Sequence, residues 1–414
     1  MTLSDQPATP RAFRPLPPLA GGVDRALHAL ARLSGSSRVR ELNGVQLLME
    51  RAYLNQATFR SGRSAGGSCR LIPTRDAMLA VNLPRPSDWA LISAWLETAP
   101  PDGWCWPRLT DALARRDSEP LIDRGRLLGL AVATTGQLPK PGTWSDEQRI
   151  TEATRGVVDR TAGGAPRVVD LSVLWAGPLC GHLLHLAGAD VIKVESVQRP
   201  DGARFGNSKF YGLLNQGKRS VALDLAAHRG RQTLRRLLLA ADIVIESSRP
   251  RALRQMGIDA ETIMRQRPGL TWISINGYGR TGPQANWIAF GDDAGVATGL
   301  SDMMKLATGR YEFAGDAIAD PLTAVRAAVA AWRGWVEGGG RLISLALTKV
   351  AACSLTEERQ RLGTEGVRDA FADWWTAALA GQATTDVRER AIVDHVSSLG
   401  EDTKSVLREL QIEC

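Results

Sequence analysis

Apolar residues in the second half of the chain occur in short continuous runs separated by helical patterns. Such runs are typical of strands buried on both faces of a parallel sheet. The runs are RVVDLSVL (167–174), ADVIKVES (189–196), RSVALDL (219–225), DIVIESS (242–248) and LTWISINGYG (270–279), and helical periodicity occupies GPLCGHLLHLAG (177–188) and GRQTLRRLLLAA (230–241). This alternation predicts an α/β fold from residue 167 to about 300. The expected architecture is a Rossmann-like, doubly wound parallel sheet that binds its ligand beyond the carboxyl ends of the strands.

The first part of the chain has a mixed pattern. RALHALARLS (25–34) predicts a helix, CRLIPT (69–74) and AMLAVNL (77–83) predict two strands around a turn at Arg75 and Asp76, and PSDWALISAWLE (86–97) begins like a capped helix. We therefore predict four parts: a mobile, proline-rich tail at 1–22, a small α+β domain at 23–140, a polar linker at 141–166 and a large domain at 167–414.

Composition limits the classes of function. A chain of 414 residues with 44% hydrophobic and 23% charged residues is an ordinary globular protein of two or three domains. A formal charge of +7, with basic residues scattered along the chain, suits a polyanionic ligand such as a nucleotide but does not indicate nucleic acid. Five cysteines without C-x-x-C spacing argue against a disulfide framework or a zinc cluster, and we expect no metal. The chain has neither a leader pattern nor a long apolar run, so we expect a soluble cytoplasmic protein.

The turn after the first strand of the expected sheet differs from a dinucleotide site. It reads LWAGP (174–178) rather than G-x-G-x-x-G, although Glu195 ends the second strand where such a fold places its ribose-binding acid. NAD binding is therefore disfavoured. Pro178 fits the first turn of a helix, whose free N–H groups suit a phosphate or carboxylate. His182 and His185 are expected to serve packing or surface roles, and the arginine-rich segment 228–236 a solvated helix face.

Two carboxylates stand in the otherwise apolar stretch AGDAIADPLTAV (314–325), just before an alanine-rich helical pattern. Pro321 disfavours a helical conformation for Asp320 and places that residue at the helix boundary. One interpretation is that Asp320 is only the helix N-cap. The other is a catalytic carboxylate, because a helix N-terminus keeps a carboxylate ionised and nucleophilic.

The chain resembles the class III CoA-transferases, a family that includes the α-methylacyl-CoA racemases. The resemblance covers about 180 residues, with its blocks in the family's order. The blocks are VVDLS (168–172), AGP (176–178), GADVIKVE (188–195), NQGKRSVALD (215–224), ADIVIE (241–246) and INGYG (275–279).

The resemblance implies that Asp320 is the catalytic nucleophile. It would attack an acyl-CoA thioester to form a mixed anhydride, then an aspartyl thioester, before an acceptor carboxylate takes the CoA. Asp316 has no such implied role and is interpreted as forming the turn or supporting the site. The implied contacts to coenzyme A are Trp175, Ala176, Leu223, Asp224, Ser247, Ser248 and Met256. Ser247 and Ser248 replace the family's asparagine-phenylalanine pair, and Ala226 replaces a frequent basic residue.

The order of the domains departs from the family. There a small domain follows the strand that here reads GRLISLAL (340–347), yet this chain reaches the closing segment LGEDTKSVL (399–407) within about 50 residues. We expect that the small domain has moved to residues 23–140, with Gly66 and Gly67 as its active-site loop, and that the active site forms in an intertwined homodimer. An unrelated N-terminal domain is the alternative.

Two other functions were weighed against CoA transfer. An acyl-CoA racemase or epimerase needs a histidine base, and the segment where racemases have it reads AFGDD (289–293). A catalytically silent CoA-binding homologue would explain the altered CoA contacts, although Asp320 is retained. The acyl donor and the acceptor acid cannot be predicted from the sequence.

Overall fold

The computed structural model describes residues 17–136, 138–140, 142–153, 164–382 and 387–412. Its strands are β1 (Cys69–Pro73), β2 (Met78–Asn82), β3 (Ala131–Thr134), β4 (Asp146–Arg149), β5 (Arg167–Asp170), β6 (Asp190–Ser196), β7 (Arg219–Leu223), β8 (Ile243–Glu246), β9 (Thr271–Asn276) and β10 (Arg341–Ala346). Its first helices are α1 (Ala20–Ser34), α2 (Ser37–Arg40), α3 (Gly44–Leu54), α4 (Pro86–Ala90), α5 (Ile92–Leu96), α6 (Trp106–Leu113), α7 (Ser118–Leu128), α8 (Ala176–Leu186) and α9 (Ser208–Asn215). The remaining helices are α10 (His228–Leu239), α11 (Pro250–Gln255), α12 (Ala260–Gln266), α13 (Gly291–Val296), α14 (Leu300–Thr308), α15 (Ala319–Val336), α16 (Leu347–Leu379) and α17 (Thr403–Glu409).

The expected doubly wound sheet is confirmed. Seven strands form one sheet in the order β4-β10-β9-β8-β5-β6-β7, and all neighbours from β10 to β7 are parallel. If β5 counts as the first strand of the parallel set, this is the Rossmann order 3-2-1-4-5-6. The strand order therefore reverses between β5 and β8. Such a switch point places a ligand crevice beyond the carboxyl ends of these two strands.

Part of the expected linker is a strand. Residues 146–149 form β4, which pairs antiparallel with β10, so that Arg341 lies opposite Arg149 and Ser344 opposite Asp146. All four residues of β4 are exposed, and their polar sequence DEQR explains why the apolar pattern did not predict a strand. Charged residues at the edge of a sheet also discourage pairing with another chain. Residues 154–163 of the linker lie outside the described residues.

The N-terminal helices share the core of the large sheet. Leu27 and Leu30 of α1 and Leu47 of α3 are buried in one apolar cluster with Leu179 of α8 and Leu322 of α15. The expected helix at 25–34 is present, but it begins at Ala20, inside the segment expected to be a tail. Most of that tail, residues 1–16, lies outside the described residues. Residues 19–59 therefore pack against the large sheet and do not belong to a separate domain.

A second, smaller unit surrounds a three-stranded sheet. The expected strand pair is confirmed as β1 and β2, which pair antiparallel around the turn, and β3 extends the sheet. Helices α5, α6 and α7 cover one face, where Trp95 and Leu109 are buried. The other face, with Cys69 and Ala80, packs on Val296 of α13 and Phe313. The small sheet is therefore fixed against the large unit next to the stretch that contains Asp320.

Motif residues of the large unit anchor the loop after β5 by buried ion pairs. Lys218 Nζ lies 2.9 Å from Asp170 Oδ2 and donates to Pro178 O, while Asp170 Oδ1 accepts from the Ser172 backbone N–H. Lys193 Nζ donates to Ser172 O and pairs with Asp201 at 2.9 Å. These contacts hold the β5–α8 loop rigidly at the crevice.

The chain contains no membrane-spanning helix among the residues described, since none of those helices is both long and apolar enough. The four cysteines in the described ranges, Cys69, Cys105, Cys180 and Cys353, are free thiols.

Replacing Lys218 by Met should destabilise the fold strongly, because it leaves the Asp170 carboxylate buried without a counter-charge. We expect the free energy of unfolding to fall by about 3–5 kcal/mol. Chemical denaturation followed by circular dichroism measures this change. The matched control is Arg75→Gln, which removes a cation from an exposed pair with Asp117 and should change stability little. Equal stability of the two variants would contradict a structural role for the Asp170–Lys218 pair.

Candidate active site

Asp320 lies at the carboxyl edge of the parallel sheet. It is the second residue of α15, the helix that precedes β10. A helix that leads into a parallel strand runs antiparallel to it, so the N-terminus of α15 lies beyond the carboxyl ends of the strands. The Asp320 carboxylate is half-buried, and its Oδ2 accepts a hydrogen bond of 3.1 Å from the Gly291 backbone N–H.

The N-cap interpretation of Asp320 is wrong. The helix begins one residue earlier, at Ala319, its N-cap is Ile318, and no side chain caps it. Asp320 is thus within the first turn, and its carboxylate bonds to α13 rather than to its own helix. A carboxylate in the first turn is stabilised by the helix dipole. Because capping does not explain this side chain, a chemical role remains the better interpretation.

A strained turn positions Asp320. Ala317 has φ 43°, a left-handed conformation that costs energy for a residue with a side chain. Its N–H donates to Asp292 Oδ1 at 2.9 Å, and its carbonyl accepts from the Asp320 N–H at 2.9 Å. Gly291 packs so closely that a Cβ there would lie 2.2 Å from Ala317 O and 2.5 Å from Asp320 Oδ2. Only glycine fits at this position.

Asp316 and Arg51 form the central ion pair of the site. Arg51 Nε donates to Asp316 Oδ2 at 2.9 Å, and Nη2 donates to Oδ1 of the same carboxylate. The guanidinium also stacks on Trp175, 4.6 Å from the ring centroid, and Trp175 packs edge-on against Phe210 at 5.2 Å. Arg51 thus links the turn before α15 to the start of α8. Asp316, for which the sequence offered only a turn-forming or supporting role, makes this link.

The N-terminal part of the chain supplies further groups to the site. Ser64 hydrogen-bonds Asp292, and Asn82 Nδ2 at the end of β2 donates to Asp293 Oδ1 at 2.8 Å. The expected active-site loop is next to Arg51, since a Cβ on Gly66 would lie 3.6 Å from Arg51 Nη2. Gly67 has φ 78° and faces Arg63. All these contacts form within one chain.

Burial raises the pKa values of three carboxyl groups at the site. Desolvation raises the pKa of Asp320 to about 7, opposed by the positive charge of Arg51 and reinforced by Asp292. Burial likewise raises the pKa of Asp292 to about 6 and that of Asp293 to about 7. For Arg51, burial works against the charge, but the surrounding carboxylates, Asp316 first, raise its pKa above the ordinary value. Near neutral pH, Asp320 therefore changes between its protonated and its ionised form.

Four of the residues expected to contact coenzyme A meet at the crevice between β5 and β8. Trp175 is the N-cap of α8 and Ala176 is its first residue, whereas Ser247 and Ser248 follow β8. Ser247 Oγ accepts from the Val173 N–H at 3.1 Å, so the two loops touch. The side chains of Trp175 and Ala176 are buried, whereas Ser247 and Ser248 are partly exposed. Through its side chain, Trp175 contacts Arg51 rather than the open crevice.

The other three expected residues are farther along the same edge. Leu223 is the last residue of β7 and Asp224 follows it; β7 is three strands from β8, a separation of roughly 15 Å. Leu223 is buried and Asp224 exposed. Met256 follows α11 and lines a groove of about 320 Å³ that also contains Arg231 and Arg235. The crevice does not bring these three residues next to the first four.

The remaining candidates from the sequence have structural partners. Both carboxylate oxygens of Glu195 are bound by Arg204, and Oε1 also accepts from the Asp201 N–H, which leaves no free edge for a ribose. His182 is buried in α8 and His185 bonds Asp394 at 3.1 Å. Within the described ranges, no group of three His, Cys, Asp or Glu side chains is arranged to hold a metal ion.

Arg51, Ser64 and Asn82 were missed as site residues by the sequence analysis. Arg51 belongs to an ordinary helical pattern, and nothing in its spacing points to a carboxylate 265 residues away. Asp292 and Asp293 entered the sequence argument only because they lie in the segment where the racemases have their histidine. Two adjacent acids in an apolar segment, AFGDDAGVA (289–297), were a usable signal for buried carboxyl groups.

The fold and this acidic site define an α/β protein of the Rossmann type with a buried carboxylate beyond its sheet. Residues 166–369 match the model of CoA-transferase family III. The matched part of the chain is similar to that family. It includes Asp320, Asp316 and Asp292 but not Arg51, Ser64 or Asn82.

Named relatives agree with this assignment. A succinate–glutarate CoA-transferase from Agrobacterium fabrum is 32% identical over 212 residues, 46% of this chain and 52% of the relative. A succinyl-CoA–D-citramalate CoA-transferase from Chloroflexus aurantiacus is 33% identical over 172 residues, 40% of this chain and 43% of the relative. The chain thus spans about half the length of the curated relatives it matches.

Solved structures are similar over a comparable share. A CAIB/BAIF family protein from Brucella suis is 29% identical with a TM-score of 0.43, over 47% of this chain and 56% of that one. A hypothetical protein from Mycobacterium tuberculosis is 25% identical with a TM-score of 0.44, over 48% of this chain and 60% of that one.

Asp293 makes stability depend on pH. Its pKa of about 7 in the folded protein exceeds the unfolded value of about 3.9, so the folded state binds more protons between these limits. The free energy of unfolding should therefore fall as pH rises from about 4 to about 7, and Asp293→Asn should make this fall shallower. Denaturation at pH 5 and pH 8 measures the slope. The exposed control Asp117→Asn should keep the wild-type slope, and an unchanged slope in Asp293→Asn would show that its carboxyl is not perturbed.

Proposed function

We propose that the protein is a CoA-transferase that moves CoA between an acyl-CoA thioester and a free carboxylic acid, with Asp320 as the nucleophile. The observation that carries the proposal is the Asp320 carboxylate itself. It is half-buried, lies at the carboxyl edge of the sheet beside an arginine, and is held by a strained turn and a glycine N–H. The names of the relatives, which are CoA-transferases, support the same class of reaction.

The reaction divides into four balanced steps. A carboxylate oxygen of Asp320 attacks the thioester carbonyl, and the C–S bond breaks to give a mixed anhydride and CoA thiolate. The thiolate attacks the Asp320 carbonyl, which forms an aspartyl thioester and releases the original acyl group as a carboxylate. The acceptor carboxylate attacks that thioester and expels the thiolate again. The thiolate then attacks the acceptor carbonyl of the new anhydride, which yields the new thioester and restores Asp320.

The geometry suits this chemistry in three respects. The pKa of Asp320 lies near neutrality, so a substantial fraction is ionised and nucleophilic at pH 7, while the partial burial of its side chain limits the access of water to an anhydride. Arg51 favours the ionised form and, through Asp316, fixes the turn from which Asp320 projects. The Gly291 N–H, bonded to Asp320 Oδ2, orients the attacking carboxylate.

We further propose that the small unit around β1–β3 is the family's small domain in a new chain position. Its support is the placement of Ser64, Gly66 and Asn82 beside the acidic residues of the site. The loop at Gly66 and Gly67 would then cover the reacting carbonyl. The intertwined homodimer remains a prediction, because the contacts described here lie within one chain.

A racemase is not favoured by the site. The segment where the racemases have their histidine does lie against Asp320, through the Gly291 N–H, but it presents Phe290, Gly291 and Asp292 instead of a base with histidine chemistry. A silent CoA-binding homologue differs from a transferase only in turnover, so kinetics on variants of Asp320 separates the two.

Asp320→Asn should abolish CoA transfer while the protein stays folded. The amide cannot form an anhydride, so we expect turnover to fall by at least about a thousandfold. The assay incubates acyl-CoAs with free acids and follows new thioesters by mass spectrometry. Asp111→Asn, which makes the same change at an exposed position of α6, should keep full turnover. Normal turnover in Asp320→Asn would refute the assignment.

Arg51→Gln should shift the pH profile of turnover towards alkaline pH. Arg51 lowers the pKa of Asp320, so its loss raises that pKa and the acidic limb of kcat moves upwards. Arg51→Lys keeps the charge but loses the two-point hydrogen bond, so it should lower kcat with a smaller shift. Arg38→Gln, in an exposed pair with Asp394, serves as the control. A slower Arg51→Gln enzyme with an unshifted profile would limit Arg51 to a structural role.

A further inference from the structure

Residues 287–293 lie between the small unit and Asp320. This 287–293 segment runs into the first turn of α13, and its Gly291 N–H donates the 3.1 Å hydrogen bond to Asp320 Oδ2. On one side the segment packs on the end of β9, where a Cβ on Gly277 would lie 2.8 Å from the Ala289 Cβ. The large sheet therefore limits the movement of the segment on this side.

On its other side the segment lies against the small unit along most of its length. The contacts, in chain order, are Trp287 with Arg126, Ile288 with Gly129, Phe290 with Arg85, Asp292 with Ser64 and Asp293 with Asn82. The two remaining residues, Ala289 and Gly291, contact the end of β9 and Asp320. The segment thus connects the small unit to the Asp320 carboxylate.

Arg126 of α7 makes the first of these contacts. Its guanidinium carbon lies 3.8 Å from the ring centroid of Trp287 and 5.2 Å from that of Tyr278, and the two rings meet edge-on with centroids 5.2 Å apart. Nη2 also donates to the Tyr278 hydroxyl at 3.5 Å. Arg126 Nε is buried and has no hydrogen-bond partner in the part of the chain that the structure describes. Because cation–π attraction is strongest where water is excluded, the aromatic faces hold this guanidinium in place.

Arg126 acts at the end of the segment where Trp287 lies. The opposite end has its own anchor, since the Asp293 carboxylate accepts from the Phe290 N–H at 3.0 Å. The Gly291 N–H lies between the two ends, and its 3.1 Å bond is near the upper limit of an N–H···O hydrogen bond. A small shift of the segment therefore weakens the bond that orients the carboxylate.

We propose that Arg126 is a positioning residue of the transfer reaction. Its stack on Trp287 docks the small unit on the 287–293 segment and so fixes the Gly291 N–H that orients Asp320. The inference rests on the proposed function in taking Asp320 as the reacting group. Arg126 acts through the segment and not on the reacting atoms.

Hydrogen exchange followed by mass spectrometry measures the docking without turnover. Arg126→Gln and Trp287→Leu should each raise the exchange rate of the 287–293 peptide about tenfold, since each removes one half of the cation–π contact. The double variant should exchange no faster than the faster single variant, because both changes remove the same contact. Arg126→Lys keeps the cation and should stay close to the wild type. The control is Arg124→Gln in the same helix, which removes an exposed pair with Glu97 and should leave the peptide unchanged.

Arg126→Gln and Trp287→Leu should also lower kcat about tenfold and move its acidic limb towards higher pH. The Gly291 hydrogen bond lowers the pKa of Asp320, so its loss raises that pKa. Three charged groups that face the same carboxylate stay unchanged in both variants, namely Arg51, Asp292 and Asp316. Because Trp287→Leu alters no charge, a shift in that variant reports the lost hydrogen bond rather than a lost cation.

Three results would overturn the inference. The first is an exchange rate of the 287–293 peptide that is unchanged in both single variants, or that rises only together with the rest of the chain. The second is faster exchange of the peptide with an unchanged kcat and pH profile. The third is a pH shift in Arg126→Gln that Trp287→Leu does not share, which would be a long-range effect of charge. Normal turnover in Asp320→Asn refutes the proposed function alone, because the exchange rates are measured without substrate.

Discussion

The site depends on one ion pair, Arg51 with Asp316. Asp292, Asp316 and Asp320 lie around this guanidinium, with Asp293 next to them, and buried carboxylates repel each other unless a cation compensates them. The two-point contact fixes Asp316, Asp316 begins the strained turn, and the turn sets the direction of Asp320. Stacking on Trp175 holds the other side of Arg51 against the start of α8. The electrostatics and the geometry of the Asp320 carboxylate therefore have the same origin.

Arg51 reaches the site because the N-terminal helices are part of the large core. α1 and α3 pack on α8 and α15, so removing them would expose the apolar faces of the helices that position Trp175 and Asp320. A buried pair between Glu50 and Arg390, at 2.7 Å, ties α3 to the C-terminal segment as well. For this reason point substitutions test the contribution of the N-terminal region better than truncation does. The segment that matches the family contains Asp320, and the residues before it provide Arg51, whose positive charge lowers the pKa of Asp320.

The sequence predicted the parts of the fold that follow from local patterns. The apolar runs of β5 to β9 and the helices between them are strong because those strands are buried on both faces. β4 escaped prediction because an exposed edge strand has no apolar signal, and the start of α1 escaped because the proline-rich composition of residues 1–22 predicts a mobile tail. Asp320 was predicted as a catalytic residue from its motif, and that role stays a prediction. Its partners Arg51 and Asn82 were not, because contacts between residues far apart in the chain depend on tertiary packing, which spacing does not encode.

The most direct test of the central claim is to identify, by mass spectrometry, the residue that carries the covalent intermediate. Incubation with an acyl-CoA in the absence of an acceptor, followed by rapid hydroxylamine quench and peptide mapping, identifies the residue that forms the covalent intermediate. The account predicts a hydroxamate at Asp320 in the wild type and none in Asp320→Asn. A hydroxamate at Asp292, Asp293 or Asp316, or active transfer without any covalent adduct, would contradict it.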